Sequence, residues 1–357
     1  MKKNILIAGP CAAESEVQLL NTAKQLLLES QRANIVIDFF RAGIWKPRSH
    51  PDSFSGWGEK ALPWLQRVRE EFNIPVCVEV ATPEHVELCE KFGVDAYWLG
   101  ARTTVNPFLV EDILRAIPNK SKTIMIKNPV MPDLATWQGA IERAYQAGFN
   151  SVWAIHRGFS SLQENVFRNA PSWEIPVALK LKFPTLPIIC DPSHITGNRN
   201  YIAQIAQIAL NYGCDGFMVE VHQDPQKALS DSTQQLTPKE FVQLVQGLLL
   251  RVDNNDWVES LLMIERSKIE NVDCQIASLL VQRMQAIENI AKIKMDNNIT
   301  LLQPNQWSRV VERYYRNALH DDIYKNFLDQ YLNILHHYSL EKQQNILSQN
   351  SCNLYEN

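Results

Sequence analysis

Long apolar runs are missing from this 357-residue chain. Nothing approaches the roughly 20 consecutive apolar residues that span a bilayer, which excludes a membrane helix on sequence grounds. Cysteine is scarce as well. The seven cysteines (11, 77, 89, 190, 214, 274 and 352) are odd in number and show no paired spacing, so a disulfide framework is excluded and a reducing cytoplasm is the expected setting. An excess of positive charge is absent too: 35 Lys and Arg against 39 Asp and Glu leave a formal net charge of -4. That supplies no field for a nucleic-acid backbone, whereas local cationic pockets for small anions stay open. The start, MKKNILIAGPCAA, imitates a secretory or lipoprotein signal, but Ile5 to Ala8 is shorter than an apolar h-region of about 7 to 15 residues and Pro10 directly precedes Cys11. Export is therefore not expected.

What is present can build cores. With 45% hydrophobic and 21% charged residues, disorder, collagen-like structure and a coiled-coil rod are all excluded. The length suggests about two domains, or one α/β barrel of about 250 residues and a smaller unit. Short Ile- and Val-rich runs recur eight times: Ile5 to Ala8, Ile35 to Phe40, Val76 to Val80, Ala96 to Leu99, Thr123 to Ile126, Val152 to Ile155, Ile188 to Cys190 and Phe217 to Val219. Amphipathic segments lie between them, such as Val17 to Leu28, Glu59 to Phe72, Pro83 to Phe92, Pro107 to Ile117, Leu134 to Ala147 and Tyr201 to Tyr212. Strands apolar on both faces and alternating with helices predict a parallel sheet, and eight such units predict a closed (β/α)8 TIM barrel, with a doubly wound open sheet as the alternative. Thr237 to Arg251 reads as the last barrel helix, which gives a barrel over 1–251. The polar VDNND at 252–256 reads as a linker. An all-α domain of three helices follows over 257–347: one of about 40 residues from Trp257 to about Asn298, a break at Leu301 to Pro304, then Trp307 to Leu319 and Ile323 to Leu347. A three-helix unit with so long a first member cannot cover its own apolar stripe, so a homodimer through this domain is expected. Residues 348–357 read as a frayed tail.

Barrel active sites sit at the carboxyl ends of the strands. The strand ends supply cations at Arg41, Lys46, Arg48, Arg102, Lys127 and Arg157. Like charges converging on one rim need an anion, and Arg and Lys suit carboxylate and phosphate. Strands one, seven and eight supply Cys11, His194, Glu220 and Asp231, a mixed sulfur, nitrogen and oxygen set suited to a divalent metal ion such as Mn, Fe, Co or Zn, acting as a Lewis acid. The competing readings are a buried hydrophobe for Cys11, a surface ion pair for any lone strand-end Arg, and His156 or His222 in place of His194. Cys77, Cys89 and Cys214 read as packing residues, and Trp45 and Phe54 as packing or pocket lining.

The motifs AGPCAAES (8–15), FRAGIWKPRSHPDSFSGWG (40–58), GARTT (100–104), IKNP (126–129), HRGFSS (156–161), DPSHITGNR (191–199) and VEVHQDPQKALSD (219–231) resemble the short-barrel 3-deoxy-D-arabino-heptulosonate 7-phosphate (DAHP) synthases over about residues 1–250. The 3-deoxy-octulosonate 8-phosphate synthases share most of them, but Lys46-Pro47-Arg48-Ser49 is similar to the DAHP loop and not to the sister family's Lys-Ala-Asn-Arg-Ser. The resemblance implies condensation of phosphoenolpyruvate with erythrose 4-phosphate. It implies that Arg41, Lys46, Arg102, Lys127 and Arg157 hold phosphoenolpyruvate, Arg48 and Ser49 the erythrose phosphate, and Cys11, His194, Glu220 and Asp231 the metal.

In the long helix, Arg283 and Lys294 fall on the apolar stripe seven residues after Ile276 and Ile287, so both face the same way. Charges there need an anion, unless they snorkel along a solvated edge. Arg266 lies roughly 25 Å from Arg283 at 1.5 Å per residue, too far to share one small ligand within a helix. RSKIENVDCQIASLLVQRMQAIENIAKIK (266–294) with SLEKQ (339–343) resembles the all-helical chorismate mutases over about residues 257–347. That implies Arg266 of one chain and Arg283 of the other on the two carboxylates of chorismate, with Lys294 and Gln343 at the ether oxygen. Many members carry an Asp and an Arg-Glu pair after the long helix, where this chain has Gln303, Gln306 and Trp307. A sensor of chorismate or prephenate that restrains the barrel is the non-enzymatic alternative, compatible with catalysis.

Overall fold

The computed structural model describes residues 4–46, 54–161, 166–250, 256–317 and 322–352. The described residues divide into two compact units, 1–252 and 253–357.

In the first unit eight parallel strands close into a barrel in chain order. They are β1 (Ile5–Gly9), β2 (Phe39–Arg41), β3 (Val76–Val80), β4 (Ala96–Leu99), β5 (Thr123–Lys127), β6 (Val152–His156), β7 (Ile188–Cys190) and β8 (Gly216–Glu220). The ring is sealed where β8 runs beside β1, with Ile5 opposite Gly216 and Gly9 opposite Glu220. Inward side chains fill the barrel: Ile7, Cys77, Ala96, Trp98, Met125, Ile155, Ile189 and Met218 form one buried cluster. Outward ones pack under the helix layer in a second, larger cluster with Leu19, Phe40, Tyr97, Trp137 and Phe241. This double burial is why the strands read apolar throughout. The helices are α1 (Glu16–Arg32), α2 (Leu62–Phe72), α3 (Pro83–Lys91), α4 (Pro107–Ala116), α5 (Leu134–Gln146), α6 (Glu174–Lys182), α7 (Pro192–Thr196), α8 (Ile202–Asn211) and α9 (Pro238–Gly247). Side chains of Ser15, Thr82, Asn106 and Asp133 cap α1, α3, α4 and α5 by accepting from the first turn, and Thr237 with Glu240 forms a capping box on α9.

Two segments depart from the sequence pattern. The run 35–40 was expected to be strand, yet β2 starts only at Phe39; Asn34 adopts a left-handed φ of 56°, Val36 is 55% exposed, and the Asp38 carboxylate accepts from Leu6 N at 2.8 Å. Residues 35–38 instead form an irregular link, and Asp38 ties the start of β2 to β1. Helix α6 was not among the amphipathic segments, because Pro176 stands in its first turn and Leu181 is exposed, so no clear stripe forms.

The second unit comprises α10 (Asp256–Asp296), α11 (Pro304–Asn317) and α12 (Asp322–Cys352). Helices α10 and α12 pack against each other, burying Ala291, Leu328, Leu332 and Leu335. Pro304 opens α11, the position where a missing N–H costs nothing. Helix α12 continues to Cys352, five residues into the stretch expected to fray. No helix among the described residues is long and apolar enough to cross a membrane.

Candidate active sites

The carboxyl rim of the barrel holds a cavity of about 260 Å³ lined by Lys46, Arg102, Lys127, Arg157 and Arg168 together with Glu79, Asn169, His194 and Asp231. Two of the cations are placed by strand ends. Lys127 ends β5 and donates to Asp191 at 2.9 Å. Arg157 follows β6; its backbone N–H donates to buried Asn128 and its guanidinium to Asn169 at 2.9 Å. Burial pulls this guanidinium down to about 10, so it stays charged at neutral pH and a bound anion would offset the cost of burying that charge. Lys46 donates to Cys11 O at 2.9 Å and to Cys11 Sγ at 3.1 Å. Arg41 is placed differently from its sequence reading as a rim cation. It lies beneath the cavity, 1% exposed, ion-paired with Glu220 at 3.1 Å and 5.1 Å from the Trp98 ring centroid. Burial pulls Arg41 down, but Glu220 and Asp191 hold it above its ordinary value. Gly9 allows this arrangement: a Cβ there would stand 2.1 Å from Arg41 O. Pro47, Arg48 and Ser49 lie outside the described residues.

Interleaved with these cations, Cys11, Glu220 and Asp231 present ligand atoms within 4.8 Å of one another. The Cys11 thiol donates to Asp231 at 3.1 Å. His194 adjoins the group, with Nε2 3.7 Å from Glu220 Oε1 and Nδ1 2.8 Å from Asp191 Oδ2. Tethering one ring nitrogen to a carboxylate aims the other, as metal-ligating histidines require. Asp191 does double duty, because its side chain also caps α7, the short helix that carries His194. The two competing histidines point elsewhere. His156 turns outward among Trp137, Phe159 and Trp173, and His222 lies 3.6 Å from Glu14 with Nδ1 accepting from Asp224 N. Burial, with Glu220 and Asp231 nearby, pushes the Cys11 thiol up to about 12, against the pull of Lys46. Glu220 and Asp231 are held below the usual carboxylate range despite burial, Glu220 by His194 and Arg41, Asp231 by the Cys11 hydrogen bond and Arg168. Two ionised carboxylates, an imidazole and a thiol form a donor set that fits a divalent transition metal, whose charge would bring the thiol to thiolate.

Four residues of this site escaped the sequence reading. Asp191 directly follows β7, where the strand-end rule reaches it, whereas Glu79 lies within β3 and accepts from Trp98 Nε1 at 3.1 Å. Arg168 and Asn169 sit in the irregular segment between β6 and α6, where no periodicity marks them.

In the helical unit Arg283 donates to Ser339 Oγ at 2.8 Å across α10 and α12. One turn on, Gln343 is buried, its Nε2 donating to Ser339 O at 3.0 Å while its Oε1 has no hydrogen-bond partner among the described residues. Lys294, 8% exposed, donates to Leu301 O. Arg266 is exposed on a separate patch with Ile269 and Asp273. Gln303 is not brought to Arg283: it is exposed, and its carbonyl accepts from Gln306 N and Trp307 N at the start of α11. Trp307 instead stacks on His336, centroids 4.1 Å apart, and His336 was not anticipated.

Residues 2–249 match the DAHP synthetase I family model. The chain belongs to that family. Residues 265–344 match the chorismate mutase type II model, so this family member carries both domains, the arrangement of a bifunctional enzyme of aromatic biosynthesis. A phospho-2-dehydro-3-deoxyheptonate aldolase of Thermotoga maritima is 29% identical over 243 residues, 68% of each chain. A 2-dehydro-3-deoxyphosphooctonate aldolase of Geotalea uraniireducens is 26% identical over 260 residues, 68% of this chain and 90% of that one. The crystal structure of the Thermotoga aldolase superposes with a TM-score of 0.60 at 29% identity, covering 69% of this chain and 68% of that one.

Proposed function

We propose that the barrel condenses phosphoenolpyruvate with erythrose 4-phosphate to DAHP and phosphate, and that the helical unit rearranges chorismate to prephenate. The observation that carries the first reading is a cavity lined by Lys46, Arg102, Lys127 and Arg157 that adjoins the Cys11, Glu220 and Asp231 group and His194. Lys46, Arg102, Lys127 and Arg157 bind and orient the phosphate and carboxylate of phosphoenolpyruvate, with Arg41 supporting them from below. Arg48 and Ser49, next to Lys46 in sequence, take the erythrose phosphate. A divalent metal ion (Mn, Fe, Co or Zn) held by the four donors supplies Lewis-acid polarisation of the aldehyde. The phosphoenolpyruvate methylene carbon forms the new bond to the aldehyde carbon, whose oxygen takes a proton. Water then adds to the cationic carbon two, and the C–O bond to phosphate breaks. The cations hold the departing phosphate throughout. The sister reading, with arabinose 5-phosphate as acceptor, is disfavoured by Lys46-Pro47-Arg48-Ser49.

Chorismate rearrangement needs a compressed conformer and a placed charge, with no covalent catalyst. Arg283, Lys294 and buried Gln343 supply one half-site. Arg266 completes it from a second chain, because its distance along α10 forbids a shared ligand within one chain. The same unit serves as a feedback sensor for prephenate. Both phosphorylated substrates of the barrel suit a cytoplasmic enzyme.

Cys11→Ala is the direct test. It is expected to lose bound metal and to lower DAHP formation by more than the roughly 10- to 100-fold typical of outer-shell changes. Full activity of the wild-type chain in excess chelator would contradict the metal assignment.

A further inference from the structure

The segment Arg168-Asn169 touches both halves of the cavity. Arg168 Nη1 donates to Asp231 Oδ1 at 3.0 Å and to Gln234 Oε1 at 2.9 Å, and Gln234 in turn donates to Glu220 Oε2 at 2.7 Å. Asn169, 7% exposed, accepts from Arg157 Nη1 at 2.9 Å and donates to the carbonyl of His194 at 2.6 Å. The backbone of the pair is pinned to α7 as well: Arg168 N donates to Thr196 O and Asn169 N to Ile195 O. Gly197, with φ +64°, gives Arg168 its seat, since a Cβ there would lie 2.7 Å from Arg168 Cβ. One dipeptide thus contacts an anion-holding guanidinium, one metal-ligating carboxylate and the helix that bears the metal-ligating histidine.

We propose that Arg168 and Asn169 are positioning residues that couple the anion half of the cavity to the metal half, so that phosphoenolpyruvate on Arg157 and metal on His194 and Asp231 strengthen each other's binding. The inference rests on the metal and anion reading above. A buried amide with both ends committed cannot move with one partner and leave the other in place. Occupancy that draws Arg157 toward the cavity therefore shifts or stiffens α7, and by linkage the effect is reciprocal.

The test measures binding, not turnover. The Mn2+ dissociation constant of the metal-free full chain is obtained by competition with a chromophoric chelator, with and without saturating phosphoenolpyruvate. The wild-type chain is expected to bind Mn2+ at least about 5-fold more tightly with phosphoenolpyruvate present, the lower end of usual coupling. In Asn169→Ala that ratio falls to about 1. Asn169→Asp, which keeps size and the acceptor for Arg157 but replaces the donor to His194 O, gives the same loss and carries the test if the alanine variant does not fold. Arg168→Lys retains charge without the forked contact and is expected to weaken Mn2+ binding by about 10-fold. Mn2+ binding with no phosphoenolpyruvate effect in the wild type, or with an effect unchanged in the Asn169 variants, overturns the coupling. No Mn2+ binding to the wild type overturns the metal reading itself.

Discussion

His156 ends β6 with its ring turned away from the cavity, 5.0 Å from the Trp173 ring centroid and 5.7 Å from that of Phe159. Burial, and then neighbouring Arg157, pulls it down to about 3. The unfolded chain takes up a proton at this residue below about pH 6.5, whereas the folded chain does not until about pH 3. Stability is therefore present above the unfolded value and drains away as pH falls, at about 1.4 kcal/mol per pH unit through that window. His194, also lowered by burial, acts with the same sign. His156→Phe should flatten the decline of barrel stability between about pH 6 and 4.5, measured by urea unfolding. An unchanged slope would contradict the neutral buried imidazole. The placement of candidate side chains was legible for most that sit at or just past a strand end, as Cys11, Lys127, Arg157 and Glu220 do, although Asp191 was missed there. It was not legible for Arg168 and Asn169, whose role depends on a loop folding back onto α7 rather than on any local pattern.

At the scale of elements, α10 shows what periodicity can reveal. Ile269, Val272, Ile276, Leu279, Ile290 and Ile293 recur at three- and four-residue steps and are all exposed, from 42% to 60%. An apolar seam of this kind, interrupted by Arg283, fits a second copy of the chain. Ile276→Glu should yield a monomer in sedimentation equilibrium and cut chorismate turnover by about 100-fold or more, because Arg266 then lacks a partner site, while DAHP formation persists. A dimer that survives the substitution would contradict the seam. The eight strands were readable because double burial leaves no polar alternation to confuse them. The start of β2 was misplaced because Ile35 to Ile37 are apolar in an irregular link and not in a strand, and α6 was missed because a proline in its first turn and an exposed leucine blur its stripe.

For the whole molecule, the small net charge of -4 hides a sharp internal separation. The barrel gathers cations and metal-type donors in one cavity, and the helical unit places Arg283 and Lys294 where burial is costly. On the proposed reading both arrangements serve small anions, and the two family matches join an early and a later step of one biosynthesis in a single chain. The most direct measurement is the rate at which purified chain consumes phosphoenolpyruvate with erythrose 4-phosphate, before and after chelation and on restoring Mn2+. The expected result is DAHP formation that vanishes with chelator, returns with metal, and is far slower with arabinose 5-phosphate; equal or faster turnover of arabinose 5-phosphate, or full activity in chelator, would contradict it.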